Sequence, residues 1–538
     1  MDDFNDALLA IDYGNSFIKI ARYDPTLLRE LFDRAVPLYL NFNGESYLDN
    51  TACFWEEWFC IGNESGDCTK IRGAKKHLGD PDWKWDVPQR PDSSVVDAYD
   101  VVKESFSYLY NTAAYQATQK FRSMIATVPV CFTELQRHQM EKAIKEAVPQ
   151  TDCELQTIIT EPFAGLFACR RVFEELKDGE RHRVLVFDAG GSTTDMCLLM
   201  IEKCGEQYKV DNLAAAGFRF AGDNITDLLY KMLADTINPV LDNQAASGVN
   251  AKFSRHPEQM PSVGTDEYDT LFQKRRAEDL GEMMKKLNEY KHTICKNADQ
   301  PDKKISIESI LSIAEETAFN QLAVSYNELA DAITAAGVAE MIENAINDML
   351  LQAHLNRNEV DRLVMIGGSS KIPYFRTILQ DYLQIPAKEA EDRILTTVSG
   401  TLTDFAVALG AVIYLLHKHN RFIIRTTVPY DVGVMGEKGF RCLRRRTSWI
   451  GEETLRRDVN LETRDDGMRI LRMYQRFSND DNEIYPMGEF VLDPVTFPED
   501  KCLMSLNINE DNRLIGKFFN GNTGEDGITK NLSWTEEA

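Results

Sequence analysis

The sequence predicts an α/β fold: two duplicated lobes, each built on a wound mixed sheet, followed by an antiparallel β-sandwich. Three observations carry that prediction. Residues 184–200 contain Val-Leu-Val-Phe-Asp188-Ala-Gly190-Gly191-Ser192-Thr193-Thr194-Asp195 and then Met-Cys-Leu-Leu-Met, an apolar strand, a glycine turn and a second apolar strand. Residues 8–20 repeat that order around Asp12, Gly14, Asn15 and Ser16, and two copies of one unit in one chain point to duplication. From Val428 the texture changes to short alternating runs at 440–443, 468–474, 488–492, 503–508 and 514–519, separated by Asp, Asn, Gly and Pro turns. That is the pattern of antiparallel strands with one buried face.

A chain of 538 residues is too long for a single core, so several domains are expected. Its 60 Lys and Arg against 85 Asp and Glu leave a net charge of −25, which repels a phosphate backbone and excludes nucleic acid as a partner. The 11 cysteines stand singly, without a C-x-x-C pair, many of them inside apolar runs. This is the habit of reduced core thiols and fits the cytoplasm. The amino-terminal residues lack a basic flank, and the longest apolar run, 406–416, is too short to cross a bilayer, so neither secretion nor membrane insertion is expected.

In chain order, the first hairpin is followed by an aromatic and acidic region and then by Gly73-Ala74-Lys75-Lys76-His77-Leu78-Gly79. A helix over 98–122 leads into a strand at 124–128, then Pro129-Val-Cys-Phe132 and an N-capped amphipathic helix carrying Gln136 and Arg137, the alternation of a wound sheet. A strand at 155–159 ends at Thr160-Glu161-Pro162, and Ala164, Gly165 and Ala168 give the helix after it a thin face for close crossing. Residues 218–356 read as mostly helical, interrupted by a polar interval at 243–265 and including a heavily charged helix at 275–293. A strand at 362–366 enters Gly367-Gly368-Ser369-Ser370-Lys371-Ile372, a second glycine turn opening a helix. Asp404 caps an alanine-rich helix as thin-faced as the one after Glu161, which strengthens the duplication.

The twin hairpins suit a nucleotide. Main-chain amides freed by Gly190 and Gly191 can approach phosphate oxygens, Thr193 can add a hydroxyl, and Asp188 and Asp195 can hold a hydrated magnesium ion. Taken singly, Asp12 and Asp195 read equally well as turn caps, Lys75 as solvated surface and Glu161 as a helix-start residue. Their shared order outweighs those readings.

With these residues in view, the chain resembles the seventy-kilodalton heat-shock chaperones (DnaK and relatives) of the actin, hexokinase and heat-shock ATPase superfamily. Five motif regions stand in order: a first phosphate loop at Asp12–Ser16, a connecting helix from Glu161, a second phosphate loop at Asp188–Asp195, an adenosine loop at 366–372 and a second connecting helix from Asp404. Pro129-Val-Cys-Phe132-x-x-x-Gln136-Arg137 is similar to the chaperones' own segment, and the C-terminal module to their peptide-binding sandwich. The resemblance implies an actin-like ATPase domain over 1–418, a linker at 419–430 and a sandwich at 431–538. It implies ATP or ADP and Mg2+ as cofactors, with Asp12 and Asp188 holding the ion through water. By the same resemblance Gly14, Asn15, Ser16, Phe17, Gly190, Gly191 and Ser192 cradle phosphates, and Lys75 and Glu161 position the attacking water. Thr193 contacts the γ-phosphate and Asp195 completes the carboxylate set. Gly222 and Asp223 also bind the nucleotide, and Lys291, His292, Gly367, Gly368, Ser369, Lys371, Ile372 and Asp404 fall on the adenosine side, with Glu282 and Lys285 offering a rival alignment for the lysine and histidine. Pro129 and Arg137 relay the nucleotide state to the sandwich.

The implied function is an ATP-dependent chaperone that binds and releases extended apolar segments of unfolded client peptides, with a nucleotide-exchange factor as a candidate partner. Two rivals stand beside it: a scaffold or regulatory ATPase whose sandwich docks one partner, and an actin-like filament former. Departures from the family are expected to matter. The linker carries Arg425 where the family is acidic, and the chain stops soon after the sandwich, without the helical lid, so peptide exchange should be fast. Thr157 and Thr160 replace an arginine and an asparagine that dock J-domain cochaperones, so generic J-domain proteins are doubtful partners.

Overall fold

In the computed structural model, residues 7–24, 35–38, 48–55, 58–62, 68–88, 95–232, 286–306, 323–396, 403–477, 484–509, 513–519 and 527–533 are described. The expected loop at 243–265, residues 275–285 of the charged helix, and Glu282 and Lys285 lie outside them.

Two six-stranded sheets follow the same plan. In the first, Leu8–Tyr13 pairs antiparallel with Phe17–Tyr23 on one side and parallel with Ser123–Val128 on the other, and Glu154–Thr160 continues the parallel edge. In the second, Arg181–Ala189 pairs antiparallel with Thr194–Cys204 and parallel with Arg362–Ile366, and Ile394–Leu395 continues. Leu8–Tyr13, covered on both sheet faces, is buried throughout. One core fills the space between the sheets, combining Leu8 and Ala10 with Val184 and Val186 and with Phe163, Phe167 and Ala411 from two helices, Glu161–Ala168 and Ala406–His417. Those helices cross closely, as their thin faces predict. Long helices cover the outer faces: Ala98–Ala117 and Glu134–Ala147 on the first sheet, Tyr326–Ala335 and Val338–Gln352 on the second.

Residues 419–430, read as a linker, include a strand. Phe422–Thr426 is the sixth strand of the second sheet, parallel to Gln207–Phe218, with Tyr208 opposite Phe422 and Asn212 opposite Thr426. The positive charge that set this segment apart is the reason it fits. Arg425 donates Nε to Asp211 Oδ1 at 2.8 Å and Nη2 to Asp211 Oδ2 at 2.6 Å, and stacks 4.5 Å over Trp449. Burial alone would push the Asp211 carboxyl up; Arg425 overrides it and holds the group below its usual value. Arg425 is therefore neutralised in place.

The C-terminal strands form two facing sheets. Gly439–Arg444, Asp431–Gly436, Arg469–Arg476, Glu462–Thr463 and Ile484–Leu492 make one, and Arg457–Asn460, Lys501–Ile508, Leu514–Phe519 and Ile528–Asn531 the other. Val432, Leu471, Met473 and Phe490 of the first pack on Met504, Leu506 and Phe518 of the second. All 11 cysteines are free thiols. No helix among the described residues is long and apolar enough to cross a membrane.

Candidate active site

The two hairpin turns face each other across a cavity between the sheets. Asp12, Gly14, Asn15, Ser16 and Phe17 line it from the first hairpin, and Asp188, Gly190, Gly191, Ser192 and Thr193 from the second. Lys75, Pro129, Glu161, Gly367 and Asp404 also line it, with Lys19 and Val407. Fifteen of the expected residues therefore converge on one space. The turns also touch: Asn15 Nδ2 donates to Ser192 Oγ, and Ser16 Oγ donates to Asp223 Oδ2 at 2.8 Å.

Lys75 sits in a short 3-10 turn, Ala74–His77, entered through Gly73 at φ 77°, a left-handed conformation that glycine tolerates. Its side chain is 1% exposed and its ammonium donates to Glu161 Oε1 at 2.6 Å, over the ring of Phe132. Glu161 starts the helix Glu161–Ala168, with Pro162 in the first turn, so the helix N-terminus and Lys75 both favour its ionised form. Burial works against them and raises its carboxyl. Asp188 is raised well above its usual range by burial first, then by the charges of Glu161, Asp195 and Asp12. Asp195 is pushed up to about 7, by burial first and Glu161 second.

These carboxylates are short of positive charge, and a divalent cation fits the deficit. Asp12 and Asp188, which both line the cavity, would hold magnesium. Among the described residues no three His, Cys, Asp or Glu side chains converge on one point, and an ion here would keep most of its water ligands. The cradle also fits phosphate. A Cβ at Gly367, which has φ 83°, would stand 2.4 Å from both Ala189 O and Asp188 Oδ1, and one at Gly191 would stand 2.1 Å from Ser16 Oγ. Asn15 Oδ1, an acceptor, is buried without a hydrogen-bond partner and suits a water of the ion rather than a phosphate oxygen.

Other expected residues take supporting positions. Asp195 lies across the strand pair from Asp188, behind the cavity, where its Oδ1 accepts from Val130 N at 2.7 Å and so fixes the turn after Pro129. Gly222 and Asp223 open a helix at 222–232 that closes over the second hairpin, through Gly222 N to Gly190 O at 3.2 Å and Asp223 N to Gly191 O at 2.6 Å. Lys291 is buried below them, donating to Gly222 O at 2.6 Å and Thr226 Oγ1 at 3.0 Å, and burial lowers it to about 8. It braces the loop from underneath. His292, lowered by burial, feels the charges of Lys371 and Asp404, which pair at 2.7 Å. Ser369 Oγ donates to Gly190 O at 2.7 Å, while Gly368 and Ile372 flank the short 3-10 turn Ser369–Lys371.

Arg137 lies away from the cavity, at a contact between the first lobe and the sandwich. Glu134, the first residue of the helix Glu134–Ala147, is buried there: its N donates to Gln475 Oε1 at 3.2 Å, and its Oε1 accepts from Tyr430 OH at 2.6 Å and lies 3.6 Å from Arg137 Nε. Glu134 and Tyr430 were missed by sequence reasoning, because a glutamate opening a helix is ordinary. Lys19 was missed too: its Nζ lies 3.7 Å from Asp12 Oδ2 and it lines the cavity.

The Hsp70 family model, described as "Hsp70 protein", matches residues 92–246 and 268–474, well over half of the chain. The chain belongs to the Hsp70 family. It is 24% identical over 289 residues to a chaperone protein DnaK of Thermoplasma volcanium, covering 54% of this chain and 40% of that protein. It is 23% identical over 428 residues to a ribosome-associated molecular chaperone of Saccharomyces cerevisiae, covering 75% and 60%. To the heat shock 70 kDa protein of Emericella nidulans it is 22% identical over 400 residues, covering 70% and 51%. The matched stretch thus spans about half the length of these relatives. Hsp70 proteins are chaperones of the heat-shock type and ATPases that bind ATP or ADP with magnesium, and the paired sheets followed by a sandwich are the family's duplicated actin-like lobes and β-sandwich.

Proposed function

We propose that this Hsp70 protein hydrolyses ATP and couples binding and hydrolysis to binding and release of extended apolar peptide segments, in the cytoplasm, with 1–418 as the ATPase unit and 431–538 as the peptide-binding unit. The observation that carries the reading is the segment 129–137. At one end Pro129 lines the cavity and Val130 N is tied to Asp195; at the other Glu134 N and its carboxylate are tied to Gln475 and Tyr430. Gln136 Nε2 donates to Lys76 O at 3.2 Å, which joins the same helix to the turn that carries Lys75. A shift at the phosphates reaches the sandwich through one short rigid piece of chain.

In this reading Glu161 accepts a proton from the attacking water, Lys75 orients that water and balances charge at the γ-phosphate, and Thr193 supplies a hydroxyl to the same phosphate. Bound magnesium supplies further neutralisation of transition-state charge. Binding of a panel of unrelated apolar peptides, measured with and without ATP, tests the reading. ATP-weakened binding of many of them supports it; capture of one folded partner alone favours the scaffold, and ATP-dependent pelleting the filament. The scaffold draws support from the sandwich surface, where Arg469 pairs with Asp500, Arg472 with Glu462 and Arg464 with Glu489, an unusually polar setting for apolar peptide.

Docking of the sandwich is expected to respond to pH. Burial raises the Glu134 carboxyl above its ordinary 4.5, against the pull of Arg137 and Tyr430. A group raised in the docked state favours docking fully below its ordinary value, and the contribution is lost as pH rises through the raised one. Energy transfer between labels on the first lobe and the sandwich should therefore fall as pH climbs from about 4.5, the ordinary carboxylate value. Glu134→Gln should flatten the profile; equal slopes in variant and parent would rule the contact out as the sensor.

A promiscuous J-domain protein is expected to leave hydrolysis nearly unchanged, because Thr157 and Thr160 offer hydroxyls instead of a charge and an amide. Two lost contacts of that kind remove most of a micromolar affinity. A single-turnover assay with excess J-domain and peptide decides it, and an acceleration of about tenfold or more refutes it.

A further inference from the structure

We propose that Lys19 is a second phosphate-binding cation of the site, one that sustains nucleotide binding when magnesium is withdrawn. The inference rests on the nucleotide reading above and starts from the duplication. In the second hairpin Asp188 stands opposite Asp195 across the strand pair; in the first, Asp12 stands opposite Lys19 at the same spacing. Directly opposed residues present their side chains on one face, about 5 Å apart at Cβ. The two halves thus offer a carboxylate on one side and an ammonium on the other at equivalent positions.

Position and charge agree on what the ammonium is for. Lys19 lines the same cavity as Lys75, Glu161, Asp188 and Gly190, and its Nζ lies 3.8 Å from where a Cβ of Gly14 would be, at the mouth of the first turn. Two other cations nearby are committed, Lys75 to Glu161 at 2.6 Å and Lys371 to Asp404 at 2.7 Å. The closest ion pair of Lys19 is the 3.7 Å approach to Asp12, longer than a hydrogen bond, on a side chain 19% exposed, and its charge also acts on Glu161 and Asp188. Its flexible stem lets the point charge swing between partners. Once a divalent ion occupies Asp12, the polyanion within reach is the nucleotide's phosphate chain. Without that ion, Lys19 remains the mobile positive charge of the cavity.

The test is equilibrium binding of fluorescent ADP to the full chain, with magnesium and with excess chelator, for the parent, Lys19→Met and Lys19→Arg. Lys19→Met should lose roughly tenfold or more in chelator and only a few-fold in magnesium, as one charge-assisted contact demands. Lys19→Arg, which keeps the charge and guards against misfolding of the methionine variant, should stay near the parent in both. Equal affinities of parent and Lys19→Met in chelator overturn the proposal. So does an equal loss in both conditions with a lowered melting temperature, which would make Lys19 a counter-ion for Asp12 alone. Failure of the parent to bind ADP in magnesium overturns the nucleotide reading itself, and this inference with it.

Discussion

Replacing Lys75 by alanine is expected to slow single-turnover ATP hydrolysis about a hundredfold or more while leaving ATP affinity nearly intact, the usual cost of removing one electrostatic group aimed at a developing charge. The geometry adds a second loss. Lys75 is buried against Glu161 at 2.6 Å, and it is the main influence opposing the burial that raises the Glu161 carboxyl. Without the lysine, Glu161 is left buried and unpaired and takes up a proton, so the group that receives the water's proton is disabled at the same time. The double variant Lys75→Ala, Glu161→Gln should then be little slower than Lys75→Ala, because the two residues act as a unit. Parental turnover in Lys75→Ala, with ATP binding verified, would remove Lys75 from the mechanism.

Gly410→Ala is expected to be among the most damaging single substitutions in the chain, although it adds one methyl group far from any polar chemistry. A Cβ at 410 would stand 1.9 Å from Ala164 O, 2.8 Å from Ala164 C and 3.1 Å from Ala168 N, all backbone atoms of the opposing helix. Backbone cannot step aside as a flexible side chain can, so the helices Glu161–Ala168 and Ala406–His417 must separate. Overpacking of this kind costs about 3 kcal/mol, roughly 3–4 °C in the melting temperature of a unit as large as 1–418. The damage reaches the site, because the first helix begins at Glu161 and the second follows Asp404. Gly436→Ala is the matched control: only Gly439 O comes within 4 Å of its Cβ, at 3.9 Å. Melting curves of the two variants that coincide would show that the crossing tolerates separation.

Much of this was legible in the sequence, for a physical reason. The strands at 8–13, 123–128 and 362–366 are buried runs and the sandwich strands alternate, all bounded by strong turn residues, so period and punctuation mark them locally. The thin helix faces were legible because Gly165 and Gly410 leave a gap that only close crossing fills. What escaped was fixed by distant partners. Phe422–Thr426 reads as a connector until Asp211, 214 residues away, takes Arg425. Tyr430 finds Glu134 across 296 residues, and a tyrosine after a proline carries no local sign of it. Lys291, which the resemblance assigns to the adenosine side, is 4% exposed beneath Gly222, a bracing position that its charged helix does not signal. Lys19 reads as an ordinary polar position in an alternating strand. Its signal was available in the duplication: aligning the two hairpins sets it against Asp195.

The central claim is that the nucleotide cavity and the sandwich work as one coupled unit through residues 129–137. The most direct test is stopped-flow release of a fluorescent peptide from the full chain on mixing with ATP, in the parent and in Arg137→Ala. The account predicts rapid ATP-triggered release in the parent and slower release in the variant at unchanged ATP affinity. Release at the same rate with and without ATP in the parent would contradict it.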